Sequence, residues 1–95
     1  MDLNAIQQIA EGIMSNKVVS IGYIDSKGKS TIRKVEPYEL DADANKLMAY
    51  CLERQAIRHF KLNKITFAEV LNQLYLLRYP VSVNGVTVNR MEESE

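Results

Sequence analysis

Hydrophobic positions near the start of the chain repeat at the spacing of a helix. The repeating residues, at i, i+3, i+7 and i+10, are Leu3, Ile6, Ala10 and Ile13. This spacing places them on one face of an α-helix, and Asp2 just before them is of a residue type that caps helix N-termini. The pattern predicts an amphipathic helix over residues 2–16. Gly12 costs it about 1 kcal/mol relative to alanine, so the helix depends on packing against other elements.

The pattern changes to alternation at Lys17. Residues 17–24 read KVVSIGYI, a β-branched and aromatic run that predicts a strand with Val19, Ile21 and Tyr23 on one face. A turn, DSKGK, follows, with Gly28 able to adopt a positive φ. The next run, STIRKVEPYEL, predicts a second strand that forms a hairpin with the first, and Pro37 either ends its hydrogen bonding or places it at a sheet edge.

Three further runs extend the sheet. The run KLMAYCL is apolar at both parities, which predicts a central strand buried on both faces. After ERQA, the segment AIRHFKLNKI at 56–65 predicts a core strand anchored by Phe60 and Leu62, and ITFAEVL predicts a fifth strand. The run LNQLYLLRY at 71–79 fits either a helix or an extended segment.

The last predicted element is a hairpin at 81–88, VSVNGVTV, with Asn84 and Gly85 in a type I′ turn. Its four valines share one face. The whole chain, 1–95, is therefore predicted to be one mainly β domain with an N-terminal α-helix (2–16), a small, strongly bent sheet or barrel of about five strands (17–71) and a C-terminal β-hairpin.

Composition narrows the classes of function. The 95 residues carry no net charge, which argues against a protein that coats nucleic acid non-specifically. No apolar run approaches the ~20 residues of a membrane-spanning helix, and no basic segment followed by an apolar stretch marks a secretory signal. With one cysteine, Cys51, the chain is expected to be cytoplasmic.

Charge is unevenly distributed along the chain. Four basic residues and no acid lie between Arg54 and Lys64 inclusive. Arg58 shares strand parity with Phe60, so its side chain starts on the core side and needs an acceptor or a route to solvent. Three interpretations stay open: an ion pair with Glu36 or Glu53, a side chain that extends outward to solvent, or a guanidinium aimed into a pocket that suits phosphate.

Several motifs in order resemble the WYL domain, a family of bacterial and phage regulatory modules. They are Ile21 and Tyr23 in a first strand, Arg33 followed by Glu36-Pro37, the strand end Ala49-Tyr50-Cys51, and the run Arg58, Phe60, Lys61, Leu62, Lys64 and Ile65. The resemblance covers roughly residues 5–70. One departure is the tripeptide that names the family, which reads Asn45-Lys46-Leu47 here, so its Trp-Tyr pair is missing.

The resemblance implies an Sm-like small β-barrel that senses a ligand, often nucleic acid or a nucleotide, and controls an attached or partner activity. We expect a standalone form without the helix-turn-helix that usually accompanies the domain. Tyr23 either fills the core with its hydroxyl at the rim or contacts the ligand. Arg33 either forms a cross-strand ion pair with an acid or contacts the ligand. Tyr50 and Cys51 are expected in the core.

Motifs of catalysis are missing: we find no Gly-rich phosphate loop and no nucleophile motif. The single histidine, His59, has no second ligand that would make a metal site. The first hypothesis is a non-catalytic sensor without cofactor or metal, binding single-stranded nucleic acid or a nucleotide and regulating a partner protein. The predicted ligand-binding residues are Tyr23, Arg33, Arg54, Arg58, His59, Lys61 and Lys64. The alternative is a protein-interaction or oligomerisation module, such as a homodimer formed through the valine face of the hairpin.

Overall fold

The computed structural model describes residues 2–88 and consists of one helix against a curled β-sheet. Helix α1 spans Leu3–Ser15. The seven strands are β1 (Lys17–Ile24), β2 (Ser30–Asp41), β3 (Lys46–Cys51), β4 (Ala56–Lys61), β5 (Ile65–Leu74), β6 (Val81–Val83) and β7 (Val86–Val88). The predicted fold class is confirmed: the molecule is mainly β with an N-terminal helix and a C-terminal hairpin. No helix within residues 2–88 is long and apolar enough to cross a membrane.

Helix α1 begins where the sequence predicts. The Asp2 side chain accepts the backbone N–H groups of Asn4 and Ala5 and so caps the first turn. The buried face is nevertheless rotated from the predicted one, because Leu3 is 74% exposed and the buried residues are Ala5, Ile9, Gly12 and Ile13. A Cβ on Gly12 would lie 2.4 Å from Val19 Cγ2, so this glycine lets the helix approach β1 closely.

The main sheet has the strand order β4-β3-β2-β1-β5, with every neighbouring pair antiparallel. Strands β4 and β5 therefore form its two ends, and a single 3₁₀ turn at Leu62–Lys64 connects them. The curl of the sheet brings Tyr23 of β1 against Phe60 of β4, with ring centroids 5.1 Å apart, although β2 and β3 lie between these strands in the pairing order. Val19 and Ile21 are fully buried and Tyr23 half-buried on one face, as the alternation predicts.

One expectation about the central strands holds on one side only, because pairing with β1 ends before Pro37 while pairing with β3 continues, and another is wrong. Strand β2 continues through Pro37 to Asp41, and Pro37 lies where β2 changes partners: pairing with β1 ends at Val35, and β6 pairs with β2 from Glu39. Strand β3 lies centrally but is buried on one face only. Its other face, with Lys46, Met48 and Tyr50, is half-buried.

The ambiguous run 71–79 is neither one helix nor one strand. It continues β5 to Leu74 and then runs irregularly to the final hairpin. That hairpin has the predicted register, Val81 opposite Val88 and Val83 opposite Val86, and both turn residues have positive φ. The hairpin joins the sheet through β6, which runs parallel to β2. The tail from residue 89, with its acidic end, lies outside the described residues.

Candidate nucleic-acid interface

An open cavity of about 250 Å³ lies beside the β1–β2 turn and strand β4. The strand ends meet here because the sheet curls until β1 and β4 approach each other. Its lining residues are Tyr23, Asp25, Ser26, Thr31, Arg33, Arg58, His59 and Phe60. Four of the seven predicted ligand-binding residues thus line one cavity: Tyr23, Arg33, Arg58 and His59.

Arg58 lines this cavity, and no acid within residues 2–88 pairs with it. It stands on the Phe60 side of β4, but β4 is an edge strand, so the Arg58 side chain reaches solvent while Phe60 is 4% exposed. Neither Arg58 nor Arg33 forms an ion pair within residues 2–88. The interpretation of Arg58 as half of an ion pair with Glu36 or Glu53 is therefore wrong, and so is that of Arg33 as half of a cross-strand pair.

The two acids are occupied elsewhere. Glu36 binds Arg78. Glu53 accepts the Cys51 thiol and, at 3.4 Å, the backbone N–H of Lys34. Cys51 is fully buried, as expected. Both carboxylates therefore accept hydrogen bonds from other groups. Neither one occupies the guanidinium donors of Arg33 or Arg58.

Among residues 2–88, Asp25 is the only acid in the lining of this cavity. Its Oδ1 accepts the backbone N–H groups of Lys27 and Lys29 at 2.9 and 2.8 Å, which closes the β1–β2 turn. The sequence identified the turn but not its place in the cavity, which depends on the curl of the sheet. The one local signal is that the turn directly follows Tyr23.

Tyr23 and Phe60 form the wall behind the cavity. Their rings meet edge to face at an interplanar angle of 80°, a favourable aromatic geometry. The Tyr23 hydroxyl accepts the backbone N–H of Lys61 at 3.2 Å. Tyr23 therefore fills space beside the core with its hydroxyl at the rim, as predicted, and it also lines the cavity.

A second cavity, of about 340 Å³, adjoins the first. The two share Tyr23, His59 and Phe60. The remaining lining residues of the second cavity are Ala44, Asn45, Lys46 and Lys61. Lys61 forms no ion pair within residues 2–88. The Nζ atom of Lys46 lies 3.7 Å from Glu39 Oε1. Asn45 and Lys46 were missed because sequence analysis considered them only as departures from the family tripeptide.

Two predicted residues line neither cavity. Arg54 is exposed in the turn between β3 and β4, and Lys64 lies in the 3₁₀ turn after β4. Of the seven predicted ligand-binding residues, five thus line one or both cavities and two, Arg54 and Lys64, lie outside them.

A separate cluster, which we call the Arg78 clasp, consists of Arg78, Glu36, Tyr38 and Tyr50. Arg78 Nε donates to Glu36 Oε1 at 3.0 Å, and the guanidinium carbon lies 3.9 Å from the centroid of the half-buried Tyr50 ring. The Tyr38 hydroxyl donates to the same Glu36 oxygen and accepts the backbone N–H of Arg78. Burial, together with the Glu36 carboxylate, raises the pKa of Tyr38 to about 12. The hydrogen bond to Glu36 raises the pKa of Arg78.

The clasp holds the segment after β5 against the sheet. Tyr75 donates its hydroxyl to the carbonyl of Pro37 at 2.6 Å, and the rings of Tyr75 and Tyr79 both pack edge to face on Tyr38. Glu36 is only 5% exposed, so its carboxylate depends on hydrogen-bond donors of the protein in place of water. The pairing of Arg78 with Glu36 was not predicted from the sequence, because the two residues lie 42 positions apart.

Comparisons with known proteins agree with this fold. The chain is 33% identical over 72 residues to a Bacillus subtilis (strain 168) protein named as the uncharacterized HTH-type transcriptional regulator YobV; the match covers 74% of the chain and 23% of that protein. The chain therefore spans about a quarter of the length of that relative. The structure is similar to the proteasome accessory factor B/C (PafBC) of Arthrobacter aurescens, with a TM-score of 0.68 at 22% identity, covering 79% of the chain and 13% of that protein.

The similarity to the accessory factor shows a shared fold. The family follows from a direct match, because the model of the WYL domain matches residues 4–70, which include α1 and strands β1 to β4 and most of β5. The chain belongs to the WYL domain family.

Proposed function

We propose that this chain is a non-catalytic regulatory module that binds an anionic ligand, single-stranded nucleic acid or a nucleotide, in the cavities beside β4. One observation carries the proposal: Arg33 and Arg58 line the same open cavity, and neither has an ion-pair partner within residues 2–88. The regulatory part rests on the relative named as a transcriptional regulator. A partner protein or an attached domain would carry the response.

The cavity suits phosphate chemically. A guanidinium offers planar, paired donors that match two phosphate oxygens, and two such groups face a single carboxylate, Asp25, which is already held by its turn. The exposed His59 ring and the half-buried Tyr23 ring provide surfaces on which a base can stack. Charge and stacking together favour a nucleotide unit over a simple inorganic anion.

We propose that the cavity binds its ligand without catalysing a reaction on it. Asp25, Ser26 and His59 line one cavity, but no hydrogen bond joins the histidine to either residue. Activation of a serine requires a hydrogen bond between nucleophile and base, with the base oriented by a third group. Because Asp25 Oδ1 is held by the turn, these three residues lack the arrangement of a nucleophilic site.

A binding titration tests this function. Fluorescence anisotropy with labelled short DNA and RNA strands, and competition with nucleotides, would be measured at about 50 mM and about 200 mM salt. We expect binding at the lower salt that weakens at the higher, and a weaker, less salt-dependent affinity in Arg58→Ala and Lys61→Ala. Lys27→Ala removes an exposed lysine that lines neither cavity and should change affinity less than about twofold.

Two results would contradict the proposal. One is a lack of affinity for every strand and nucleotide at low salt. The other is an Arg58→Ala affinity equal to that of the Lys27→Ala control.

Self-association is the second candidate function. The version that uses the valine face of the hairpin loses part of its support, since Val81 is buried in the protomer's own core and Val83 and Val88 are partly buried against that core. Of the four valines only Val86 is exposed, at 68%. The specific observation is instead a pair of exposed leucines at and just after the end of β5, with Leu74 72% and Leu76 91% exposed. Exposed apolar groups of this kind mark contact surfaces, and a second copy of the chain is the partner we propose.

Sedimentation velocity tests self-association. We expect a concentration-dependent dimer in the wild-type chain and a monomer in Leu76→Ser, which leaves the core unchanged. A wild-type monomer at high protein concentration would exclude this candidate.

A further inference from the structure

Strands β1, β2 and β5 have a face that points away from the core, which we call the outer face. Because side chains alternate along a strand, Ile21 and Ala68 point inward and are buried, while their neighbours in each strand point outward. The strand pairing arranges these outward residues in two rows that cross the three strands. The outer face consists of these rows: Ile32, Gly22 and Phe67, then Lys34, Ser20 and Glu69.

The first row is apolar and open to solvent. Ile32 is 65% exposed and Phe67 is 41% exposed. The Phe67 ring leans across β1, since a Cβ on Gly22 would lie 2.4 Å from Phe67 Cε2, and it covers the buried Gly22 backbone. The row therefore presents two large apolar side chains with only a glycine between them.

The second row carries one charge of each sign. Lys34 and Glu69 are both exposed, and neither forms an ion pair in the part of the chain that the structure describes. Ser20 of β1 separates them, because β2 and β5 lie on either side of β1, about 10 Å apart. Such a row is complementary in charge to the same row with its two ends exchanged.

A second copy of the chain presents this exchanged row. When two outer faces stack about a two-fold axis that runs along β1, β2 of one copy lies over β5 of the other. Lys34 then faces Glu69 of the second copy, Ile32 faces Phe67 of the second copy, and each contact occurs twice. The small residues of β1 lie on the axis, where they let the sheets reach the roughly 10 Å separation of packed sheets.

The exposed leucines after β5 border the same side of the sheet. Glu36 follows Lys34 at the two-residue spacing of one strand face. Arg78, in the segment after β5, binds Glu36 on that side. Leu76 lies two residues before Arg78 in this segment, so it stands beside the outer face and not on the opposite side of the sheet.

We infer that the outer face is a symmetric dimer interface, in which Lys34 pairs with Glu69 of a second copy and Ile32 packs on its Phe67. This inference rests on self-association, the second candidate function, and specifies its surface and symmetry. Charge complementarity favours a second copy over an unrelated partner, because the copy places a carboxylate opposite each lysine. The contact is at the small end of specific interfaces, so we expect a dimer that dissociates on dilution.

Charge reversal tests the pairing. Sedimentation velocity of the whole chain would be measured over a range of protein concentrations at about 50 mM salt. Lys34→Glu places carboxylates opposite each other at both contacts, and Glu69→Lys places ammonium groups opposite each other. We expect each variant alone to weaken the dimer at least about tenfold. Lys27→Glu makes the same charge change in the exposed β1–β2 turn and should change the dimer less than about twofold.

Mixing the two variants distinguishes this interface from other surfaces. In a mixed dimer the new carboxylate of one variant faces the new ammonium group of the other, and the unchanged Lys34 and Glu69 face each other. An equimolar mixture should therefore recover most of the wild-type affinity, although each variant alone is monomeric at that concentration. A contact between Lys34 and Glu69 within one copy could not be restored by mixing.

Ile32→Ser tests the apolar row. We expect it to weaken the dimer about tenfold, because the apolar contact is lost at two symmetric positions. Thermal unfolding at low protein concentration, where the chain is monomeric, should not change, since Ile32 is mostly exposed. The charge variants should also unfold at the wild-type temperature there, because Lys34 and Glu69 are exposed in a single copy.

The outcomes distinguish this inference from self-association itself. A wild-type dimer that neither charge reversal weakens, or that mixing the variants does not restore, would overturn the outer-face interface and leave self-association through another surface standing. A wild-type chain that stays monomeric at high protein concentration would exclude both.

Discussion

Arg58 on strand β4 and Arg78 in the irregular segment after β5 are both exposed arginines, and their surroundings differ in kind. Arg78 donates to a nearly buried carboxylate, lies over an aromatic ring and has its backbone N–H held by a tyrosine hydroxyl. Arg58 faces an open cavity beside another arginine and has no ion-pair partner within residues 2–88. Around Arg78 the fold supplies a paired carboxylate. Around Arg58 and Arg33, Asp25 lines the same cavity but forms no ion pair with either arginine within residues 2–88.

This difference separates stability from binding. Removing an interaction that the protein satisfies internally should lower the free energy of unfolding. Removing a cation that faces only water and a cavity should cost little stability but should weaken whatever anion binds there. The two regions therefore give opposite predictions for the same measurements.

The largest expected effect is on binding. Arg58→Glu replaces the central cation of the first cavity with a charge that repels phosphate, and we expect a loss of affinity for short single strands of roughly a hundredfold. Arg54→Glu makes the same charge change outside both cavities and should cost only a few-fold. Anisotropy titrations measure both, and equal losses would show that overall charge, not the cavity, governs binding.

The next effect is on stability. Glu36→Ala leaves the buried Tyr38 hydroxyl without its acceptor, removes the partner of Arg78 and opens a small cavity, so we expect a loss of about 2 kcal/mol in the free energy of unfolding. Ligand affinity should stay within about twofold. Urea denaturation checks this, with Glu69→Ala, an exposed carboxylate on β5 that forms no ion pair within residues 2–88, as the control at about 0.5 kcal/mol. Similar losses in both variants would mean that the clasp adds nothing beyond an ordinary surface carboxylate.

A smaller expected effect is a loss of stability, measured as the free energy of unfolding, at alkaline pH. The pKa of Tyr38 is raised from 10.0 to about 12 in the folded chain, so the folded state holds this proton more tightly than the unfolded state. The contribution of Tyr38 to stability is therefore fully present below pH 10 and is lost as pH rises to about 12, with a loss of about 1.4 kcal/mol by pH 11.

Comparison with Tyr38→Phe isolates this contribution. The variant lacks the ionising hydroxyl, so the stability difference between wild type and variant should narrow between pH 10 and pH 12. Urea denaturation at several pH values measures the difference. A constant difference over that range would contradict the assignment.

Much of the fold could be predicted because its signals are local. The cap and spacing of α1, the alternation of β1 and the Asn84-Gly85 turn each act over a few residues, and the structure contains all three. Predictions that depended on neighbours were less accurate. The face of α1 was misjudged because the close approach at Gly12 rotates it, and β3 was expected to be buried on both faces because an apolar sequence does not show how much of a sheet is covered.

The candidate site was only partly predictable. The resemblance to the WYL domain brought Tyr23, Arg33 and Arg58 together, and the structure places these three in one cavity. Arg54 and Lys64 were grouped with them because they are neighbours in sequence, but turns carry both away from the cavities. Asp25 and Asn45 were missed because their place in the cavities depends on the approach of distant strands.

The sequence by itself determined the order of elements, the family and the basic character of the segment 54–64. Hydrophobic period, capping and turn chemistry are properties of adjacent residues, and they act before any tertiary contact forms. Only the tertiary structure decided which charges are neutralised. Glu36 could have met Arg58, Arg33 or Arg78, and the curl of the sheet together with the path of residues 75–80 brought it to Arg78. Because an ion pair acts over a few ångströms and its partners here lie 42 residues apart, the folded chain, not the local pattern, leaves Arg58 facing an open cavity.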